Sequence, residues 1–245
     1  PVVASDTDEV VFYESLVRFA DIDGKIVPAG YFIDSVEELG LSRLVDQFAL
    51  QMVIEEMLHY PSISMSLNVS RRTLNDPTWL KSIVSKLENE KDVARRLIVE
   101  ITESAVMDDV QNVQNVIQTL KELGCRIALD DFGAGHTSFA HLRNLHIDIV
   151  KIDKSFIRDG SDEQNKLFIS TLKTLADGMQ IQTIGEGAET EEDVMMLKHH
   201  GIDMIQGYAY DAPRVERLWL DKSDEHRKIA LPMIVNEKAA KHISV

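Results

Sequence analysis

The sequence predicts an α/β fold in which strands and helices alternate around a parallel sheet. Short apolar segments are separated by amphipathic segments of helical length over most of the 245 residues. Strands that are joined through helices pair in parallel, with right-handed crossovers. A single (β/α)8 barrel typically needs about 250 residues and therefore fits the length, although a prior of about 150 residues per domain also allows two domains.

Seven segments are predicted to be strands because they are short and rich in β-branched and long aliphatic residues. They lie at residues 10–19, 63–69, 97–102, 126–130, 147–152, 181–186 and 204–208. The run Asp21-Ile22-Asp23-Gly24 follows the first segment and predicts a hairpin turn. Seven strands are one fewer than a closed eightfold barrel contains.

Five amphipathic segments are predicted to be helices, at residues 41–58, 78–87, 110–123, 165–177 and 191–199. In the first of them, apolar residues recur at three- and four-residue spacing, which indicates one buried face. Gly124 and Gly201 follow two of these segments, where a left-handed C-cap favours glycine. After Trp219 the pattern ends in a charged tail that we expect to be helical, so the predicted domains are residues 1–219 and 220–245.

The composition excludes several classes of protein. The 41 acidic residues exceed the 26 basic ones and give a formal net charge of −15, which argues against a protein that coats DNA or an anionic membrane. No segment approaches the roughly 20 apolar residues of a membrane span, and the N-terminus lacks the pattern of a signal peptide. The single cysteine, Cys125, excludes a disulfide framework and suits a reducing cytosol. Because the chain begins with Pro1 rather than Met, we expect it to be a piece of a longer protein.

Polar side chains, most of them carboxylates, lie at the ends of the predicted strands. They are Glu14, Asn68, Glu100, Asp130 with Asp131, Lys151 and Glu186. In a parallel barrel the carboxyl ends of the strands meet at one mouth, where enzymes of this fold place their sites. Carboxylates crowded in a partly dry cavity repel one another, and one lysine with one arginine cannot neutralise five of them. Either protonation or bound cations must relieve this repulsion, and the excess of carboxylates favours divalent cations.

Ligands that offer only oxygen favour Mg²⁺ or Mn²⁺ over zinc. Two such ions about 3.5–4 Å apart are a common arrangement for in-line phosphodiester cleavage. Asp130 and Asp131 suit that arrangement, because adjacent residues can serve neighbouring ions where a strand curls into its loop. Each feature alone also fits a structural role, Asp130-Asp131 as a turn and Lys151 as the partner of a buried carboxylate. The repetition of suitable residues over six successive strands favours the site.

Taken together, these motifs closely resemble the EAL-domain phosphodiesterases, which hydrolyse the bacterial messenger cyclic di-GMP. The resemblance runs from residue 1 to about residue 213 and rests on the order of Glu-x-Leu-x-Arg, Asn-Val-Ser, Glu-Ile-Thr-Glu, Asp-Asp-Phe-Gly, Lys-Ile-Asp, Glu-Gly-x-Glu and Gln-Gly-Tyr. It implies a modified (β/α)8 TIM-like barrel with one antiparallel strand. The strand and glutamine that the family usually has immediately before Pro1 are absent, so we expect the first strand to be truncated or missing.

The resemblance also implies which residues hold the two metal ions. The first ion would take its ligands from Glu14, Asn68, Glu100 and Asp130. The second would share Asp130 as a bridge and add Asp131 and Glu186. The expected ions are Mg²⁺ or Mn²⁺, two per site.

Other positions match residues that act beside the metal ions. Lys151 corresponds to the lysine that orients or deprotonates the attacking water, and two cations nearby would lower its pKa. Glu103 corresponds to the glutamate that anchors the loop after Asp131, so Lys151, Glu14 and Glu103 form the predicted catalytic set. Arg18 matches a substrate phosphate contact. The further expected substrate-binding residues are Gln206 and Leu16, and the expected supporting residues are Asp153 and Glu189.

The implied activity is hydrolysis of one phosphodiester bond of cyclic di-GMP, which yields linear pGpG. The family further implies a homodimer and an upstream sensory or GGDEF-type domain, in the cytoplasmic part of a parent protein that can be membrane-anchored. Neither DNA binding nor membrane insertion of this domain is expected. The alternative is a weak or inactive receptor that binds cyclic di-GMP and signals through a partner domain. Such receptors typically lose the first glutamate or the metal-binding aspartates, all of which this chain keeps.

Overall fold

The computed structural model describes residues 1–133, 144–158 and 162–220, apart from the side chain of Asp108. Its strands are, in chain order, β1 (Val2–Ala4), β2 (Val10–Ser15), β3 (Arg18–Ala20), β4 (Ile26–Pro28), β5 (Met65–Asn68), β6 (Leu97–Thr102), β7 (Arg126–Phe132), β8 (Ile149–Ile152), β9 (Gln182–Gly185) and β10 (Met204–Ile205). Its helices are α1 (Ile33–Glu38), α2 (Ser42–His59), α3 (Arg71–Leu74), α4 (Pro77–Leu87), α5 (Lys91–Arg96), α6 (Glu103–Asp108), α7 (Val110–Leu123), α8 (Glu163–Gly178) and α9 (Glu191–His199).

Eight of the strands close into a barrel in the order β1-β10-β9-β8-β7-β6-β5-β2. Strand β1 pairs antiparallel with both of its neighbours, whereas the other neighbouring pairs are parallel. This confirms a modified barrel with one antiparallel strand. The expectation that the closing strand is missing is wrong, because Val2–Ala4 supplies it. At three residues, β1 is too short to stand out by composition alone.

The predicted strand at residues 10–19 is two separate strands. Strand β2 ends at Ser15 inside the barrel, and β3 begins at Arg18 and pairs antiparallel with β4 outside it. The turn between β3 and β4 is closed by Asp21, whose Oδ1 accepts the N–H groups of Asp23 at 3.0 Å and Lys25 at 2.8 Å. The predicted hairpin turn is therefore confirmed.

The five predicted helices are confirmed as α2, α4, α7, α8 and α9, each within a few residues of the expected bounds. Gly124 forms the C-cap of α7 in the left-handed region, with φ of 108°, as its position predicts. The helices that composition did not reveal have only four to six residues each. No helix among the described residues has the length and apolar character that a membrane span requires.

Pro1–Pro213 forms one compact unit, and the chain from Arg214 onward belongs to a second. The described part of the second unit, residues 214–220, contains neither helix nor strand. The helix expected in the charged tail lies outside the described residues, which end at residue 220. The predicted boundary after residue 219 stays a prediction.

Carboxylates hold the strand starts at the end of the barrel opposite the mouth. Asp203 directly precedes β10, and its Oδ2 accepts the backbone N–H of Thr183 in β9 at 2.8 Å. The Nζ of Lys173 on α8 pairs with Asp203 Oδ1 at 3.1 Å. Asp148 makes equivalent contacts directly before β8. These contacts fix the starts of β8 and β10 relative to the strand and the helix that precede each of them.

Candidate active site

The polar mouth of the barrel and the apolar layer beneath it come from the same faces of the same strands. Residues two positions apart on a strand share a face. In six strands a buried core residue is followed two positions later by a polar one, which lies in the strand or directly after its end. The pairs are Phe12 and Glu14, Ile98 and Glu100, Ala128 and Asp130, Ile149 and Lys151, Ile184 and Glu186, and Met204 and Gln206. The fold thus gathers these six polar side chains above a layer of apolar ones.

Lys151 lies at the centre of the carboxylates and is 1% exposed. Its Nζ is 2.7 Å from Glu100 Oε2 and 2.7 Å from Glu186 Oε1. It is also 3.1 Å from Asp130 Oδ1 and 3.8 Å from Glu14 Oε1. One cation therefore faces four carboxylates, and the excess negative charge is buried with it.

Glu14 is held in place by two amide side chains. Asn68, the last residue of β5, donates from Nδ2 to Glu14 Oε1 at 2.8 Å. Gln206 donates from Nε2 to Glu14 Oε2. Both carboxylate oxygens are therefore oriented by strands other than β2, and the closure of the barrel through β1 and β10 is what brings Gln206 beside Glu14.

Asp130, Asp131 and Glu186 form the group best placed to share a metal ion. Each offers a carboxylate oxygen within 4.8 Å of the others. The pairing of β7 with β8 is irregular between Leu129 and Phe132, and Asp131 has a positive φ of 56°. This irregularity turns two adjacent side chains toward one region, as expected for a strand that curls into its loop.

Burial and mutual repulsion shift the pKa values of these groups. Burial raises the pKa of Glu100 to about 7 and that of Glu186 to about 8, and Lys151 offsets only part of this. Burial lowers the pKa of Lys151, but the surrounding carboxylates outweigh burial and the net pKa lies well above its ordinary value. The lowered pKa expected for Lys151 beside two cations stays a prediction for the metal-bound protein.

The residues at the mouth fit divalent cations. The Oε1 atom of Glu100 is fully buried and has no hydrogen-bond partner among the described residues. An orphaned carboxylate oxygen is costly in a dry site unless the group is protonated or binds a cation. The donors are carboxylate and amide oxygens, which are the ligands of hard ions such as Mg²⁺ and Mn²⁺.

The metal-free protein is expected to lose stability as the pH rises from about 4.5 to about 8. The pKa values of Glu100 and Glu186 in the folded state lie above the ordinary value of 4.5. The folded state therefore binds more protons than the unfolded state in this window, and the free energy of unfolding falls with rising pH. Urea unfolding with a chelator, below pH 5 and at about pH 8, measures the effect.

Mg²⁺ competes with protons for these carboxylates and is expected to restore stability at the higher pH. The same titration with Mg²⁺ in place of the chelator is the control. A stability that stayed constant across the window in the chelator would contradict the shifted pKa values.

The remaining predicted residues lie around the cluster rather than in it. Glu103 is 3% exposed, and its Oε2 accepts the N–H of Gly133 at 3.0 Å; its role as an anchor of the loop after Asp131 stays a prediction. Asp153 accepts the N–H of Ser155 at 2.9 Å and so caps the 3₁₀ helix that follows β8. Glu189 forms an ion pair with Arg158.

Two predicted substrate contacts lie just after β2. Leu16 is 41% exposed. The Nη1 of Arg18 donates to the carbonyl of Val17 at 2.9 Å. Among the described residues Arg18 has no hydrogen bond or ion pair with the carboxylate cluster. Both side chains remain candidates for substrate binding rather than parts of the cluster.

In the sequence Gly207 stands out only as part of the Gln-Gly-Tyr motif, but the structure gives it a specific role. A Cβ at this position would overlap the backbone of Ala188. The N–H of Ala188 donates to the carbonyl of Gln206 at 3.2 Å, and the N–H of Ala209 donates to the carbonyl of Ala188 at 2.9 Å. The close approach therefore holds Gln206 beside the loop that carries Glu186. A glycine directly after a site residue is the signal that could have identified it.

Residues 1–213 match the EAL domain family. The chain belongs to that family. The match covers the whole barrel and ends at residue 213, where the resemblance based on the motifs also ends. It also agrees with the compact unit Pro1–Pro213.

Relatives of this EAL domain include signalling proteins and phosphodiesterases. The signaling protein YkoW of Bacillus subtilis is 32% identical over 82% of this chain and 26% of its own length. The cyclic di-GMP phosphodiesterase PdeF of Escherichia coli is 31% identical over 83% of this chain and 28% of its own length. The FimX EAL domain of Pseudomonas aeruginosa, solved bound to cyclic di-GMP, has a TM-score of 0.79 and 25% identity over 85% of this chain and 86% of that one. The chain thus spans little more than a quarter of these two curated relatives.

Proposed function

We propose that this EAL domain is a metal-dependent phosphodiesterase that hydrolyses cyclic di-GMP to linear pGpG. The observation that carries the proposal is the gathering of the predicted metal ligands around one buried lysine at the mouth of the barrel. The relatives named as a cyclic di-GMP phosphodiesterase and as a cyclic di-GMP complex support the choice of substrate. Bound cations would neutralise the excess carboxylate charge above the raised pKa values of Glu100 and Glu186. They would also attract an anionic substrate.

The proposed ligands divide into two sets that share Asp130. Glu14, Asn68 and Glu100 would complete the set for one ion, and Asp131 and Glu186 would complete the set for the other. When bound, Mg²⁺ or Mn²⁺ would stabilise negative charge on the phosphate and favour the hydroxide form of water. The chain's own contribution is to fix these oxygens on rigid strand ends.

Lys151 is the proposed group that handles the proton of the attacking water. Its Nζ lies between Glu100 Oε2 and Glu186 Oε1, at 2.7 Å from each. A water held among these carboxylates can accept a hydrogen bond from the protonated amine and orient its lone pair toward phosphorus. If Nζ loses its proton, it can instead accept one from that water.

The substrate side of the site is proposed to involve Arg18 and Leu16 as direct contacts. Gln206 contributes through its hydrogen bond to Glu14 as well as through any contact with substrate. Asp153 and Glu189 are proposed to support the loops that follow β8 and β9, through the contacts described above. Glu103 is proposed to hold the start of the loop after Asp131 through Gly133.

The parent protein is proposed to be larger than this chain. The chain covers only 26% and 28% of the two curated relatives. We infer an upstream sensory or GGDEF-type domain, a homodimer, and a cytoplasmic position for the catalytic domain. Size-exclusion chromatography with light scattering of the full-length parent tests the dimer.

Incubation of the purified domain with cyclic di-GMP and Mg²⁺ or Mn²⁺, followed by chromatography, is expected to reveal pGpG. The product should not form in the presence of a chelator, and Glu14→Ala should abolish turnover almost completely. The control is Glu163→Ala, because Glu163 is 85% exposed and lies on α8 outside the cluster. Tight binding of cyclic di-GMP without turnover would contradict the enzyme proposal and favour the alternative of a cyclic di-GMP receptor.

A further inference from the structure

A buried carboxylate outside the cluster contacts the segment that carries Asn68. Asp46 lies on α2 and is 9% exposed. Its Oδ2 accepts the backbone N–H of Ser70 at 3.0 Å and the hydroxyl of the same residue at 2.6 Å. Burial raises the pKa of Asp46, and hydrogen bonds from Ser70 and Thr73 offset part of the increase. One carboxylate oxygen therefore binds both donors of a single residue.

Ser70 follows Asn68 by two residues, so the contact acts on the backbone that leaves β5. The intervening Val69 donates its N–H to the carbonyl of Glu100 at 3.0 Å. The segment is thus held from β6 through Val69 and from α2 through Asp46. Two anchors within two residues leave the position of Asn68 little freedom.

The orientation of Asn68 matters because its amide nitrogen holds Glu14 and its amide oxygen is the proposed metal ligand. Its Nδ2 donates to Glu14 Oε1 at 2.8 Å. Its Oδ1 accepts no hydrogen bond from the residues that the structure describes. A small rotation of the backbone would disturb the orientation of Glu14 and the direction of Oδ1 together.

We propose that Asp46 is a positioning residue for the metal site, which fixes the backbone of Asn68 by holding Ser70. The inference rests on the proposed function, since it takes Asn68 as a metal ligand. Groups that orient metal ligands typically affect metal affinity by about 10–100-fold when they are changed. Among the described residues Asp46 has no hydrogen bond to a proposed metal ligand, so we expect its effect on the site to pass through its contact with Ser70.

A control contact elsewhere in the barrel distinguishes a positioning role of Asp46 from a purely structural one. Asp203 accepts the backbone N–H of Thr183 at 2.8 Å and its hydroxyl at 2.7 Å, again through one Oδ2. The contact with Thr183 has the same chemistry, although Asp203 also pairs with Lys173, and it lies at the end of the barrel opposite the mouth. Loss of Asp203 should therefore affect folding without a specific effect on metal binding.

The test is calorimetric titration of Mn²⁺ into the wild-type domain, Asp46→Ala and Asp203→Ala, since alanine removes the acceptor oxygen that asparagine would keep. Asp46→Ala is expected to bind Mn²⁺ about tenfold more weakly, whereas Asp203→Ala should stay within about twofold of wild type. Thermal unfolding of each variant measures the loss of stability separately. Turnover by Asp46→Ala is expected to fall at low Mn²⁺ and to recover as Mn²⁺ is raised.

Three outcomes would overturn the inference. Wild-type affinity in Asp46→Ala would remove the positioning role and leave the proposed function intact. Equal losses of affinity in Asp46→Ala and Asp203→Ala would assign the effect to general loss of folding. Absence of Mn²⁺ binding by the wild type would overturn the proposed function and the inference with it.

A second variant provides the test if Asp46→Ala does not fold. Ser70→Ala removes the hydroxyl donor and keeps the backbone donor to Asp46. It is expected to weaken Mn²⁺ binding in the same direction but by less than Asp46→Ala. Unchanged affinity in Ser70→Ala, if Asp46→Ala cannot be folded, would overturn the inference.

Discussion

Lys151→Met is expected to abolish turnover and to make the folded state depend on divalent cations. The lysine is 1% exposed and lies 2.7 Å from carboxylate oxygens of both Glu100 and Glu186. Removing one partner of a buried ion pair leaves uncompensated charge, which typically costs about 3–5 kcal/mol of stability. Methionine keeps the length and apolar character of the lysine stem. The loss of stability therefore measures the removal of the charge and not the creation of a cavity.

Urea unfolding in a chelator and in Mg²⁺, together with the pGpG assay, measures both effects. Mg²⁺ should restore much of the stability of Lys151→Met but none of its turnover. The control is Lys121→Met, which loses a pair with Asp148 at 2.6 Å that is about one-third exposed (32% and 29%). Pairs accessible to solvent contribute at most about 1 kcal/mol. Turnover by Lys151→Met would contradict the proton-handling role, and unchanged stability in the chelator would contradict the electrostatic account.

The residues of the site could be predicted from the sequence because strand geometry repeats. An apolar core residue followed two positions later by a polar one, as in Ile98 with Glu100 and Ile149 with Lys151, places both on the inner face of the barrel. Parallel strands then bring their carboxyl ends together without further information. The fold class and the membership of the cluster therefore follow from local patterns in separate segments.

The features that could not be predicted from the sequence depend on contacts between distant segments. Strand β1 has three residues and is a strand only because β2 and β10 lie on either side of it. The division of residues 10–19 between barrel and hairpin depends on where β4 pairs. The contact between Asp46 and Ser70 joins residues 24 positions apart, and no local pattern distinguishes Asp46 from an ordinary helix aspartate.

Glu100→Gln is expected to raise the stability of the metal-free protein while it lowers Mn²⁺ affinity and turnover. The Glu100 side chain is fully buried, and its pKa of about 7 reflects burial and the repulsion of Glu14 and Asp130. At pH 8 the wild type must keep this group ionised at a cost, which the neutral amide avoids. Glutamine still offers an oxygen to Lys151. The expected gain is about 1–3 kcal/mol in a chelator at pH 8.

The pH dependence of this gain separates ionisation from packing. Below about pH 4.5 the carboxyl of Glu100 is protonated in both folded and unfolded states, so the gain should vanish there. Glu56→Gln controls for the substitution itself, because Glu56 is 5% exposed on α2, outside the cluster. A loss of stability at pH 8 would mean that the pair with Lys151 outweighs repulsion, and full Mn²⁺ affinity would remove Glu100 from the ligand set. Opposite changes in stability and affinity would indicate that the barrel tolerates a buried negative charge at this position because the metal requires it.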